Sequence, residues 1–428
     1  MIQVQERHRG RLVDNLISLY LLQGLNYLLP MAVLPYLVRV LGMETYGLVA
    51  FSQAFAQYFI ILTDYGFNFS ATRFVAQHRE DRRAVRAMFW QILVLKTGLM
   101  FLGLGILWGM VLAVPRVRHD TPYLLLAFIA VAGNVLFPQW YFQGIEKMRY
   151  ISVFTGIAKI VSAALIFSLV HGPADGLRAV GILSSGTLLA GAMGACTTLR
   201  GIGLEFEWPS PDSLRATLWE GWHLFVASAS VSLYTNTNVF LVGLLAGNVE
   251  AGYFSAAEKL IRAMAGAVGP ITQAIYPRIS ALVVSSRAAG LALASKSLAW
   301  MTGSSLLLSL ASFVLARPVA ALLFGAAGSG SVPIIRWIAP LPFLIAISNV
   351  LGIQTMMTFG LDRQLSRILL ASGILNVVIG VPLIYLFAAQ GAGVAVLVTE
   401  ATVVVAMLAV LKRHEIHLSL RGLLLHEK

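Results

Sequence analysis

The sequence predicts an all-α, polytopic membrane protein of about twelve transmembrane helices in two six-helix lobes, and three observations predict it. Of the 428 residues, 58% are hydrophobic and 12% charged, too little polar surface for a soluble chain of this length. The apolar runs are continuous and about 20 residues long, enough to cross a bilayer as helices. They do not alternate apolar and polar, as the strands of a membrane barrel would. The basic residues fall mostly on one side of the resulting topology, as the positive-inside rule requires.

Hydropathy places the spans near 13–41, 45–66, 87–114, 121–143, 151–170, 178–199, 218–246, 251–275, 289–315, 333–359, 366–388 and 391–412. The first follows the basic stretch MIQVQERHRGRLVDN and is too long for a signal-peptide core, so it is expected to be retained. With the N-terminus in the cytoplasm, inner segments hold 20 of the 31 basic residues. Outer loops hold four, Arg116, Arg118, Arg178 and Arg317, and seven lie within spans. Both termini are therefore expected in the cytoplasm. The loops are short, so no outer domain is expected. The net charge of +12 is read as orientation signal, not as nucleic-acid binding. The single cysteine, Cys196, excludes an internal disulfide or a cysteine metal site.

The chain reads as two related halves, 1–205 and 206–428. "LGMETYGLVAFSQA" (41–54) compares with "AGNVEAGYFSAAEK" (246–259), pairing Gly42 with Gly247 and Gly47 with Gly252. "NVLFPQWYFQG" (134–144) compares with "NVLGIQTMMTFG" (349–360), pairing Asn134 with Asn349 and Gln139 with Gln354. Six spans per half orient both halves alike, a parallel repeat about the membrane normal, and such folds bind substrate near the midplane.

Charges inside spans are the candidate functional residues. In "AAEKLIRA", Arg262 lies about 11 residues into span eight, or ~16 Å, near mid-depth. Glu258 and Arg262 are four apart and share a face, as do Lys259 and Arg262 at three. A central charge costs about 2.5–3.5 kcal/mol even on the lenient insertion scale, so these three need partners or a wet cavity. A Glu258–Arg262 pair that only joins helices would leave Lys259 unexplained. Lys96 and Lys296 sit in equivalent spans of the two halves, each about 8 residues from the cytoplasmic end, and Arg39 sits near the outer end of span one. Snorkelling to an interface is the alternative for those three, and the expected reading for Lys159 and Arg336. Together Arg39, Lys96, Lys259, Arg262 and Lys296 predict a cationic cavity for an anionic, diphosphate-like ligand. Candidate ion-coupling carboxylates are Glu400, Glu258 and Asp64. Glu258 stands beside two cations, and Asp64 is placed to cap or to pair with Arg73, which leaves Glu400 the better candidate. Pro30 and Pro35, Gly269 and Pro270, and Pro340 and Pro342 are expected to break spans one, eight and ten.

Three blocks now carry a resemblance: "LPYLVRVLGMETYGLVAFSQAFAQYFIILTDYGFNFSATR", "FPQWYFQGIEKMRYIS" and "AGYFSAAEKLIRAMAGAVGPITQAIYPRIS". Over nearly the whole chain the sequence resembles the bacterial polysaccharide repeat-unit flippases, Wzx-type O-antigen and exopolysaccharide transporters of the multidrug/oligosaccharidyl-lipid/polysaccharide exporter superfamily. The resemblance implies a multi-pass protein of the bacterial inner membrane that moves undecaprenyl-diphosphate-linked oligosaccharide from the inner to the outer leaflet by alternating access. It implies a cationic cavity onto which Arg39, Lys259 and Arg262 carry by motif, while Lys96, Lys296 and Glu400 rest on the charge argument alone. Membrane lipids, a polysaccharide polymerase and a chain-length regulator are the implied partners; no cofactor or metal is implied. Energy is expected from an ion gradient, from product removal, or both, because no G-x-x-x-x-G-K-[ST] sequence makes the chain its own ATPase.

Rival readings are a drug/cation antiporter, for which the cavity has the wrong sign, and a membrane enzyme of glycan assembly. A polymerase or glycosyltransferase needs a larger outer loop, and an O-acyltransferase needs a mid-span histidine that none of the eight supplies. The chain is therefore expected not to be an enzyme. A scaffold recruiting other enzymes is a third possibility.

Overall fold

The structure, a computed structural model, describes residues 2–266, 269–416 and 418. The predicted orientation residues Arg421 and Lys428 lie outside the described residues. All regular structure among the described residues is helical. In order come α1 (Ile2–Asp64), α2 (Phe67–Gln77), α3 (Arg82–Ala113), the short α4 (Pro115–His119), α5 (Thr121–Leu136), α6 (Gln139–Gly144), α7 (Arg149–Leu169) and α8 (Gly176–Ile202). Then follow α9 (Pro211–Ala246), α10 (Asn248–Gly266), α11 (Gly269–Ser285), α12 (Arg287–Val314), α13 (Ala316–Phe324), α14 (Ser331–Ile338), α15 (Leu341–Asn349), a π-helical stretch (Val350–Met357) and α16 (Asp362–Arg413).

Among the described residues, seven helical stretches are long and apolar enough to cross a membrane, and the pair Ala326–Ile338 and Leu341–Met357, bent by 41°, makes an eighth. Two elements contain a break. α1 divides at Gly42 (φ 73°) and α16 at Ala388 (φ 50°), each leaving two arms. The arms of α16 hold 26 and 25 residues, each about 38 Å at 1.5 Å per residue, so each can span alone.

Sequence and structure differ over what bends these helices. Pro30 and Pro35 lie inside α1 and do not break it; the break comes at Gly42. A proline removes one backbone donor, and a membrane helix tolerates that where neighbours satisfy the freed carbonyl. A left-handed φ reverses the chain and ends the helix. Near Pro340 the expected break is present, between Ile338 and Leu341. At the expected break by Gly269 and Pro270, α10 is described to Gly266 and α11 from Gly269, and residues 267 and 268 lie outside the described residues.

Contacts divide the chain into two compact units, residues 1–41 with 55–228, and residues 42–54 with 229–428. In the first unit α5 and α8 pack at glycines. A Cβ on Gly133 would meet the backbone of Thr187 and Leu188, and one on Gly191 would meet the Gly133 carbonyl. Small residues are what let membrane helices approach this closely. Phe67, Val85, Phe89, Ile92 and Trp140 close the core at the other end. Beyond it, in the turn region, Arg79 donates to Glu146 at 2.6 Å and holds that carboxyl below the usual range. Arg86 reaches Glu205 at 2.6 Å.

In the second unit, the repeat seen in the sequence has a structural counterpart. Gly42 and its mate Gly247 (φ 106°) both adopt left-handed backbone and both separate two helices. Gly47 and its mate Gly252 lie against each other, where α1 crosses α10. A Cβ on Gly47 would run into the Asn248 carbonyl, and one on Gly252 into the Met43 carbonyl. Gly47→Ala is expected to lower stability by about 1–3 kcal/mol, the usual cost of overpacking, because the obstacle is backbone. Gly105→Ala, with nothing within 4 Å of the added methyl, is the control and is expected to be neutral or stabilising. Thermal melting of the detergent-purified variants separates the two; equal midpoints would refute the close-approach account.

Candidate cationic site and its carboxylates

α10 carries the charges of "AAEKLIRA". Gly247 ends α9 and Asn248 opens α10, with Glu250 in the first turn, where a carboxylate faces the positive end of the helix dipole. The helix buries Ala251, Phe254, Ser255, Ala257 and Ile261. Glu258 falls on that face and is 7% exposed, while Lys259 is exposed and Arg262 half-buried. Arg262 Nε donates to Glu258 Oε1 at 2.8 Å, the i,i+4 pair the spacing predicts. Lys259 points elsewhere. Its Nζ stands 5.6 Å over the centroid of the Tyr46 ring and 3.4 Å from Tyr46 Oη, which in turn is 3.3 Å from Ser255 Oγ. A cation over an aromatic face is held electrostatically without being neutralised. Lys259 thus rests on a neutral ring and a hydroxyl.

Arg262 also lines a cavity of about 240 Å³ built by α10, α15, the π-helical stretch and both arms of α16. Its other polar groups are Ser348, Asn349 and Glu400; Leu341, Ile345, Val396 and further aliphatic side chains form the rest. Ser348 Oγ donates to Glu400 Oε1 at 2.8 Å, and Glu400 is 4% exposed. A π-helical stretch widens the helix locally and is frequent at functional sites. Here it follows Asn349 directly and brings Gly352 and Ile353 to the cavity wall.

Lys96 and Asp64 form a separate cluster in the first unit. Asp64 ends α1, just before the left-handed pair Tyr65 (φ 41°) and Gly66 (φ 78°). A Cβ on Gly66 would press on Leu224. Asp64 Oδ1 receives Lys96 Nζ at 2.9 Å and Asn134 Nδ2 at 2.9 Å, and Lys96 donates to the Asn134 carbonyl at 3.1 Å. Lys96 is 1% exposed. The sequence reading differs here: Asp64 pairs with Lys96 rather than with Arg73, and Lys96 turns inward to a carboxylate rather than opening on a ligand. Arg39 is exposed, three residues before the Gly42 break, and Lys296 is exposed on α12. The structure does not bring either into the Arg262 cavity.

Tyr46, Ser255, Ser348 and Asn349 were not singled out as site residues by charge. A signal for one existed: Asn134 and Asn349 are repeat mates, and each stands at one of the two charged clusters. Among the described residues, no group of three histidine, cysteine or carboxylate side chains is placed to hold a metal ion.

Comparison with known proteins places this geometry. The family described as "Polysaccharide biosynthesis protein" matches residues 12–283, more than half the chain. The chain belongs to that family. A relative from Escherichia coli (strain K12) that carries the name O-antigen transporter is 34% identical over 406 residues, covering 94% of this chain and 97% of that one. A protein of the same name from Shigella dysenteriae is 29% identical over 401 residues, covering 93% and 99%. Among solved structures, the lipid II flippase MurJ in its inward closed conformation aligns with a TM-score of 0.72 over 94% of this chain and 90% of that one, at 11% identity. An inward-facing MATE multidrug transporter aligns with a TM-score of 0.62 over 92% and 94%, at 17% identity. The family is thus one of multi-pass bacterial membrane proteins whose named relatives are transporters and not enzymes. The MurJ and MATE likenesses show that the chain shares their fold.

Proposed function

We propose that this chain flips undecaprenyl-diphosphate-linked oligosaccharide repeat units from the inner to the outer leaflet of the bacterial cytoplasmic membrane. It does so by alternating access between lobes 1–205 and 206–428, with both termini in the cytoplasm. At the coarser level, a transporter of polysaccharide biosynthesis, the family membership and the named relatives carry the assignment. The diphosphate reading rests on one observation above the rest: Arg262, braced by Glu258, lines a cavity while Lys259, on the same helix, rests on the neutral Tyr46 ring. A guanidinium is suited to a phosphate because its planar fork donates two parallel hydrogen bonds. Lys259, with three rotatable donors, complements it as a point charge. In this reading Arg262 and Lys259 contact the headgroup, and Arg39 and Lys296 are cations it meets on the way. The Lys96–Asp64 pair holds helices together, and the tail stays in lipid. A polymerase and a chain-length regulator act on the delivered unit.

The test is the sidedness of the lipid-linked intermediate. Spheroplasts of a strain lacking the protein are treated with a membrane-impermeant sugar label and compared with a complemented strain. The intermediate is expected to accumulate unlabelled in the null. Full labelling there would mean that the block follows translocation, and the flippase reading would be wrong.

A further inference from the structure

The cavity that Arg262 lines holds one group that the proposed headgroup contacts do not use, the carboxyl of Glu400. We propose that Glu400 is a proton-binding site linked to anion binding at Arg262, so that a proton and the diphosphate bind together. The proposal rests on reading Arg262 as a diphosphate contact and names what regulates that contact.

The argument begins with the surroundings of Glu400. It sits on the second arm of α16 and is packed by α10, α14, α15 and the π-helical stretch. From α10 the charged side chain on the cavity wall is Arg262, whose Nε is engaged by Glu258; Lys259 lies on Tyr46. α14 carries Arg336, stacked on Phe313 at 5.8 Å. α15 and the π-helical stretch bring Ser348 and Asn349, neither of which titrates. On α16 itself the nearest charge along the second arm is Lys412, twelve residues and about 18 Å away. Asp362, Arg363 and Arg367 belong to the far end of the first arm. The cation that shares the cavity wall with Glu400 is thus Arg262, which already serves the Glu258 carboxylate.

The sign of the linkage follows. An ionised Glu400 and an arriving diphosphate are like charges competing within the one mostly aliphatic cavity that Arg262 lines. Protonating Glu400 removes one of the competitors and strengthens anion binding. By reciprocity, anion binding must favour protonation of Glu400 by the same factor. Affinity is therefore highest at low pH and falls as pH rises through the titration of Glu400. The Ser348 hydroxyl serves both forms, since it donates to a carboxylate and can accept from a carboxylic acid. In the loaded state Glu400 is then neutral, and Glu258 is the carboxylate that stays bonded to Arg262.

The experiment uses the full chain in lipid nanodiscs and farnesyl diphosphate as probe. Titration calorimetry between pH 5.5 and 8.5, in two buffers of different ionisation enthalpy, counts protons taken up per ligand bound. The probe's own titration appears in every variant and subtracts out. Wild type is expected to take up as much as one proton more than Glu400→Gln. Glu400→Gln should bind at high pH as tightly as wild type binds at low pH, because its carboxamide mimics the protonated acid. Ser348→Ala, which leaves Glu400 in place, is expected to move the pH window of the uptake. Equal proton counts in wild type and Glu400→Gln, or a window unmoved by Ser348→Ala, would overturn the proposal. In that case a loss of affinity in Arg262→Gln/Glu258→Gln would leave the diphosphate contact standing. A wild type that binds no farnesyl diphosphate at any pH would overturn both readings together.

Discussion

Arg262→Gln in combination with Glu258→Gln is expected to reduce the rate of repeat-unit translocation by roughly 10–100-fold with the protein present at its normal level. A hydrogen bond to a charged group contributes about 1.5–3 kcal/mol, and each 1.4 kcal/mol is tenfold. The double substitution matters. Arg262→Ala alone would strand Glu258, 7% exposed and held at 2.8 Å, and a buried carboxylate without its partner destabilises the fold. Loss of transport in that single variant could then be loss of protein. With both charges neutralised the helix keeps its packing and only the contact for the anion goes. Lys259→Gln needs no such partner, because Lys259 is exposed and rests on a neutral ring; its effect should be smaller, nearer tenfold. Translocation is read from outside-accessible sugar label in spheroplasts, and protein from immunoblots. Normal transport in the double variant would remove Arg262 from the headgroup contacts. A pure scaffold would likewise show no change, so the result also separates transport from recruitment.

How far the site was legible depended on the range of each interaction. The Glu258–Arg262 pair is local, set by the 3.6-residue turn, and the spacing alone located it. The burial of Glu400 followed from its depth in an apolar run. The helical, multi-pass fold followed from composition. What the sequence could not supply was rotation of one helix against another. Lys96 meets Asp64 across 32 positions, and a turn of either helix by a third would have sent the lysine toward the surface, where snorkelling or a ligand would be its fate. Lys296, in the equivalent span, does lie exposed; the residue at the repeat offset from Lys96 is instead Met301, buried and accepting from Ser297 and Gln354 at 3.3 and 3.4 Å. Ser297 and Gln354 are not the repeat mates of Asp64 and Asn134, so the repeat does not carry the contact over. The expected span ends at 41/45 and 388/391 coincide with the breaks at Gly42 and Ala388, but the cause given for bending span one differs. Proline was weighted as a breaker in α1, whereas the left-handed glycine at 42 makes the break. The half boundary at 205 is likewise a topological division, and residues 42–54 pack with the second unit because Gly47 needs Gly252 opposite it.

The Lys96 cluster yields the second large effect, and its sign pattern distinguishes a buried pair from a chance contact. Removing one partner of a buried ion pair typically costs about 3–5 kcal/mol, because the other is left charged and unsatisfied. The two single variants should not cost the same here. The Lys96 side chain is 2% exposed and that of Asp64 28%. Lys96→Met leaves Asp64 partly solvated and still bonded to Asn134 Nδ2, so its cost should fall below that range. Asp64→Leu leaves an ammonium with one carbonyl acceptor and almost no access to water, so its cost should reach the upper part of it. The double variant Asp64→Leu/Lys96→Met removes both charges and is expected to recover most of the loss, since apolar replacements of a buried pair are often neutral. Thermal unfolding in detergent, followed by the fraction remaining monodisperse, ranks the three proteins. The expected order of stability places the double variant above Lys96→Met and Lys96→Met above Asp64→Leu. If the costs of the single variants simply add in the double, the two side chains are not coupled and the pair is not what fixes α3 against the end of α1. If they couple and transport survives in the double variant, the pair is a joint between helices, and the anion-handling charges are those of α10.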